Sequence, residues 1–170
     1  GKAGCNIAEQ FESYPQYKVL YIDTEERPGK RFKLIPTQED IEEYENNFPS
    51  LKRFLKNVEG PYTVIIGGSG NISGASLNLL QQLNSKEINI LYIKPDIDLL
   101  SDLAYKRERL VFHILQQYCR SGLLDKMFIV SNSQCENILQ NLTINNYFDK
   151  INHLIASTYH MWNVFQNIEP

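Results

Sequence analysis

Residues 62–83 restrict this chain more than any other stretch. The apolar run Tyr62-Thr63-Val64-Ile65-Ile66 leads into Gly67-Gly68-Ser69-Gly70-Asn71-Ile72-Ser73-Gly74, and a helical pattern follows from Ala75 to Leu83. A glycine-rich turn between a buried strand and a helix gathers backbone N–H groups at a helix N-terminus, an arrangement that cradles phosphate. A second turn of this kind, Gly1-Lys2-Ala3-Gly4-Cys5-Asn6, opens the chain. Six of the nine glycines lie in these two loops, so glycine is concentrated where a nucleotide would sit.

The remaining pattern alternates. Ala3 to Tyr14 reads as a helix with Ile7, Ala8 and Phe11 on one face. Lys18–Asp23 reads as a buried strand, Arg27-Pro28-Gly29-Lys30 as a turn, and Phe32 to Ile35 as a short strand. Thr37 is the expected N-cap of an acidic helix through Glu42, Glu43 and Glu45. Pro49 breaks that helix, and a second one is expected to continue to about Val58. Further strands are expected at Ile88–Ile93 and Met127–Val130. Long helices are expected from about Leu99 to Tyr118 and from Phe148 to Phe165, with Gly122 ending the first. Apolar strands separated by helices imply right-handed crossovers, hence an α/β fold: a parallel, Rossmann-like sheet with helices on both faces. Ligands of such sheets bind at the carboxyl ends of the strands. Both glycine loops, Asp23, Pro95-Asp96 and Ser131-Asn132 fall there.

Composition narrows the function classes. At 170 residues the chain suits one domain, 1–170. A net charge of -3 gives no broad attraction to nucleic acid or to an anionic membrane. Cys5, Cys119 and Cys135 are odd in number and widely spaced, which fits a reducing cytosol rather than a disulfide scaffold. His113, His153 and His160 are spread out and no CxxC or HxxxH spacing occurs, so no metal site is expected. The sequons at Asn71 and Asn141 carry no weight in a cytoplasmic protein. No apolar run approaches the ~20 residues of a membrane span.

In order and spacing these loops resemble the nucleotide-binding domain of the tubulin/FtsZ GTPases. Gly1-Lys2-Ala3-Gly4-Cys5-Asn6-Ile7-Ala8 resembles the first phosphate loop, GQAGNQIG in tubulins and GGGGNA in FtsZ. Gly68-Ser69-Gly70-Asn71-Ile72-Ser73-Gly74 resembles the tubulin signature GGGTG[ST]G, and Asp23-Thr24-Glu25 the NTD of FtsZ. Lys94-Pro95 and the basic helix after it resemble PFxxEGxxR, with Arg109 at the Arg and Tyr105 where Glu belongs; Asp102 is the nearest acid. Asp125 through Asn132 resembles VDTLIIIPN, and Phe148-Asp149-Lys150-Ile151-Asn152 resembles FGAAN. The resemblance implies binding of GTP or GDP, with Mg2+ carried on the nucleotide. Phosphate would be held by Gly4, Cys5, Asn6, Gly68, Ser69, Gly70, Asn71, Ile72, Ser73 and Gly74, with Thr24, Pro95 and Arg109 nearby. Asn132 and Asn152 would face the base, since an amide carries both a donor and an acceptor for a purine edge. It further implies head-to-tail self-association into filaments in the complete protein.

Departures from the family pattern bear on hydrolysis. Ser69 and Ile72 stand where the signature has glycine, and a β-branched residue disfavours positive φ. Between Thr24 and Glu59 the only glycine is Gly29, so the γ-phosphate loop has no counterpart; Thr37 is the nearest substitute. The resemblance places a strand before Gly1 and the catalytic acidic loop and activation domain after Pro170; Glu169, being terminal, is a poor stand-in. The expected activity is therefore GTP hydrolysis only if the complete protein supplies that loop. The alternatives are a non-hydrolysing assembly or scaffold protein of the same fold, and a Rossmann-type NAD(P) oxidoreductase. The latter rests on Gly68-x-Gly70-x-x-x-Gly74 with Asp96 as the ribose-binding acid.

Overall fold

The computed structural model describes residues 1–83, 87–139 and 142–168, and Asn141 and Glu169 lie outside them. In chain order the elements are α1 (Lys2–Gln10), β1 (Tyr21–Asp23), β2 (Phe32–Leu34), α2 (Ile41–Asn46), β3 (Tyr62–Gly67) and α3 (Ala75–Gln82). These are followed by β4 (Ile88–Lys94), α4 (Asp102–Arg120), β5 (Lys126–Ser131), α5 (Asn132–Ile138) and α6 (Tyr147–Asn167). Short 3-10 turns at Phe11–Ser13, Asn71–Gly74 and Ile97–Leu99 link several of them.

All strand pairings among the described residues are parallel. They form a two-stranded sheet, β1-β2, and a three-stranded sheet, β3-β4-β5. The expected α/β architecture of parallel strands flanked by helices is present; the single continuous sheet is not. The predicted strand from Lys18 shortens to Tyr21–Asp23, because β2 is only three residues long and offers no further partner.

β4 carries the core. Its residues 88–93 are all buried, as expected of a parallel strand covered on both faces. Alternation sends Leu91 and Ile93 to one face, against Ile7 and Phe11 of the α1 region and Ile151 and Ile155 of α6. Ile88, Ile90 and Tyr92 go to the other, against Leu77 and Leu80 of α3 and Val111 and Leu115 of α4. A third cluster, Ile35, Tyr44 and Ala75, joins β2's exit to α2 and α3.

Helix ends follow local chemistry. The Ser101 hydroxyl accepts from Ala104 N–H at 3.3 Å to cap α4. The helix ends in a Schellman arrangement: Gly122 takes φ +78°, Leu123 N–H donates to Tyr118 O at 3.0 Å, and Gly122 N–H donates to Cys119 O at 3.2 Å. Asp40, not Thr37, caps α2, because its carboxylate reaches Glu43 N–H at 2.9 Å while Glu43 reaches back to Glu39 N–H at 3.0 Å. The helix expected between Pro49 and Val58 does not form. Leu51 is fully buried and its N–H donates to Gln82 Oε1 at 2.7 Å, so the segment docks on α3 as turns. Asn57 then leaves the helical region with φ +63°.

Core truncation should be felt equally on the two faces of β4. Ile90→Ala and Leu91→Ala should each cost about 2–5 kcal/mol. Leu110→Ala, on the exposed side of α4 at 52% exposure, should stay within about 0.5 kcal/mol. Urea denaturation measures all three.

Candidate functional site

The carboxyl ends of β1 and β3 lie on either side of the first turn of α1. The Gly1 nitrogen donates to Ile22 O at 2.7 Å and lies 4.0 Å from Asp23 Oδ1. On the other side, a Cβ on Gly1 would sit 2.7 Å from Ile72 Cγ2, and one on Gly4 2.6 Å from Ile65 O. The first predicted glycine turn is not a loop: from Lys2 on it is already the α-helix α1, whose opening residues lie against the Gly67–Gly74 loop and are wedged against both strand ends. Cys5 N–H makes the first helical bond, to Gly1 O, so the amides of Lys2, Ala3 and Gly4 have no intrahelical acceptor.

The glycines of the second loop answer to close approach, not to unusual backbone angles. Among the described residues positive φ occurs only at Gly29, Asn57 and Gly122. Ile72 sits in the Asn71–Gly74 turn, so the strain expected of a β-branched residue there does not arise. Its side chain packs instead on the Ile35–Tyr44–Ala75 cluster. A Cβ at Gly74 would strike the carbonyl oxygen of Ile41, and one at Gly68 the hydroxyl of Tyr92. Gly70 has ordinary extended angles and nothing nearer than 3.7 Å. Ser73 folds back within the loop, its N–H and hydroxyl both donating to Gly70 O at 3.0 and 2.6 Å. Asn71 donates to Glu39 O at 2.5 Å, leaving its buried Oδ1 without a protein donor. Ser69 lies half-buried between them.

Sequence reasoning placed Asp23 among the strand ends but missed its partner, Arg27. Asp23, at the end of β1, is 3% exposed. Its Oδ1 accepts from Thr24 N–H at 2.8 Å, and Oδ2 has only an ion-pair contact, to Arg27 Nη2 at 3.6 Å. Arg27 also donates to Asn6 Oδ1 at 3.0 Å, while its buried Nε has no acceptor. Asn6 and Thr24 thus hydrogen-bond an under-satisfied carboxylate–guanidinium pair, with Cys5 beside it. The signal was an acid closing an apolar strand with an arginine four residues on. Cys5 is buried with its Sγ 3.6 Å from Ile22 O, and desolvation pushes its thiol pKa up, so it is a poor nucleophile there.

A second buried carboxylate, Glu108 on α4, lies under the glycine loop and accepts from the Tyr92 hydroxyl at 3.2 Å. Burial, reinforced by that carboxylate, raises the Tyr92 pKa far beyond its ordinary value. Arg109, one residue on, faces outward with its guanidinium 5.8 Å from the Tyr105 ring centre. Pro95 follows β4, half-buried. Asp96 turns its carboxylate to Asp98 N–H at 3.2 Å, capping the next turn. Asn132 is the first residue of α5, whose cap is Ser131, and Asn152 is a half-buried residue in the second turn of α6. Neither asparagine shares a hydrogen bond with the glycine loops in the described structure. Among the described residues no group of three or more His, Cys, Asp or Glu is placed to hold a metal ion, and no helix is long and apolar enough to cross a membrane.

Two sets of variants test this geometry. Gly74→Ala should destabilise by about 1–3 kcal/mol because it meets backbone, whereas Gly70→Ala should change stability by under about 0.5 kcal/mol. Arg27→Met should cost about 1–3 kcal/mol by stranding Asp23. Adding Asp23→Asn should recover part of that loss, and a thermal-melt double-mutant cycle measures the recovery. No protein-family model, curated protein or solved structure matches this chain.

Proposed function

We propose that this chain is a guanine-nucleotide-binding domain of tubulin/FtsZ type, holding GTP or GDP where the carboxyl ends of β1 and β3 meet α1. The observation that carries this reading is the juxtaposition of the N-terminus of α1, residues 1–6, and the Gly67–Gly74 turn. Free helix-end amides and a glycine turn pressed together favour a phosphate chain over an uncharged ligand. Arg27, ion-paired to Asp23, still has an unused Nε donor beside them. Asn132 and Asn152, on α5 and α6, are the proposed base readers. Any Mg2+ arrives with the nucleotide.

The same reading makes the protein self-associating, filament-forming and cytoplasmic, with GTP hydrolysis conditional on an acidic catalytic loop. The scaffold alternative keeps the fold and gives up turnover. The dinucleotide alternative keeps Asp96 as its ribose acid, with Oδ1 capping the Asp98 N–H at 3.2 Å.

GDP or GTP at about 100 times Kd should add about 2.7 kcal/mol of stability. That is roughly 5–11 °C in melting temperature, at about 2–4 °C per kcal/mol for a chain of this size. ATP and NADH should give a much smaller shift. Asn152→Ala should reduce the guanine shift more than the adenine one. Identical melting with and without guanine nucleotide sinks the reading.

A further inference from the structure

We propose that the rim formed by α2 and α4 on either side of the Asn71–Gly74 turn is an interface for a second copy of this chain. The two copies are related by a two-fold axis, with α2 of each lying on α4 of the other. This symmetric contact is separate from head-to-tail association and does not rest on nucleotide binding.

Charge is segregated along the rim. Residues 34–51 carry five carboxylates, Glu39, Asp40, Glu42, Glu43 and Glu45, and no Lys, Arg or His. Two of the five work within the chain, since Asp40 caps α2 and Glu43 accepts from Glu39 N–H. Glu39 and Glu42 are exposed, and neither carboxylate has an ion-pair partner among the described residues. In α4 the sign reverses. From Leu103 to Arg120 the cations are Lys106, Arg107, Arg109 and Arg120, and the one carboxylate, Glu108, is buried. Lys106, Arg109 and His113, spaced i, i+3, i+7, share the exposed face of the helix. Lys106 and Arg109 pair with no carboxylate among the described residues; Arg109 lies over the Tyr105 ring. Leu99 and Leu103, 82% and 58% exposed, add apolar surface at the start of the same helix.

The fold brings the two groups to one edge. α2 and α4 both pack against the Asn71–Gly74 turn, yet no ion pair joins them. Acidic and basic surfaces therefore stand side by side, each without a partner. A surface of that kind is self-complementary: a half-turn places α2 on the α4 of the second copy and α4 on its α2 at once. The spacing agrees, because Glu39 and Glu42 are three residues apart, as are Lys106 and Arg109. The same pattern selects against other occupants. A nucleic acid, an anionic membrane or an acidic peptide drawn to α4 meets the carboxylates of α2, and a basic partner drawn to α2 meets α4. Exposed charges are screened by salt, so the dimer is weak and salt-sensitive.

Sedimentation equilibrium without nucleotide tests this. At about 20 mM salt the mass should reach twice 19.7 kDa, and at about 500 mM the dissociation constant should be at least ~10-fold weaker. Glu39→Lys with Glu42→Lys, and separately Lys106→Glu with Arg109→Glu, should each weaken self-association at least ~10-fold. An equimolar mixture of the two reversed chains should recover a dimer holding one of each, because both contacts then join opposite charges. Where a reversed chain melts early, Gln at the same positions should weaken the dimer in its place. A monomer at low salt, a mass beyond the dimer, Gln variants that associate like the parent, or no recovery on mixing overturns the proposal. The measurement contains no nucleotide, so failure here is separate from failure of guanine binding.

Discussion

Burial of β4 on both faces is the constraint on which the rest depends. A strand with parallel neighbours on each side must be reached by crossovers, and crossovers place helices. Leu91 and Ile93 then demand an apolar layer on one side, and Ile90 and Tyr92 demand another on the other. α6 and α1 satisfy the first demand, α3 and α4 the second. Once these layers are set, the strand ends and the loops leaving them share one edge of the molecule. That edge gathers Gly68, Asp23 and the start of α1 without any of them having to attract the others.

Satellite interactions tune this arrangement. The Tyr159 hydroxyl pairs with Thr63 Oγ1 at 2.7 Å, tying α6 to β3. Tyr14 stacks on His160 at 3.8 Å between ring centres, and Tyr17 hydrogen-bonds the same imidazole at 3.1 Å, so the segment leaving α1 is held to the far end of α6. Lys30 pairs with Glu9 and Glu12, closing the turn before β2 onto α1. Lys30 and the Tyr21 hydroxyl both donate to Glu12 and hold its carboxyl below its ordinary pKa. Because Lys30, Glu9 and Glu12 are open to solvent, these ion pairs contribute little and are salt-sensitive.

Ile88–Lys94 was legible in the sequence because burial on both faces leaves an uninterrupted apolar pattern, and Tyr62–Gly67 was legible from its apolar run although only Ile66 of it is buried. The Gly67–Gly74 cluster was legible as a loop, whereas the Gly1–Asn6 cluster is the first turns of α1, since its glycines answer to close packing against Ile65 and Ile72. What the pattern did not reveal depended on partners far along the chain. Gln82 draws Leu51 out of a helix 31 residues earlier, and Ile41 supplies the wall that makes Gly74 obligatory. Ile72 looked misplaced in a glycine motif because sequence alone suggests a demand for unusual angles; packing on Tyr44 and Ala75 is what it answers to. The pairing of Asp23 with Arg27 was readable only as a spacing, since the burial that gives it weight comes from α1.

The floor of the glycine loop is a phenol. Gly68 N–H donates to Ile93 O at 3.1 Å, which makes that residue an extension of the sheet. The Tyr92 hydroxyl fills the volume beneath it, and Glu108 on α4 holds that hydroxyl from the other side. Downward displacement of the loop has no empty space to enter. Load placed on Gly68 passes through a ring and a carboxylate into the second turn of a 19-residue helix, which couples the loop to that helix.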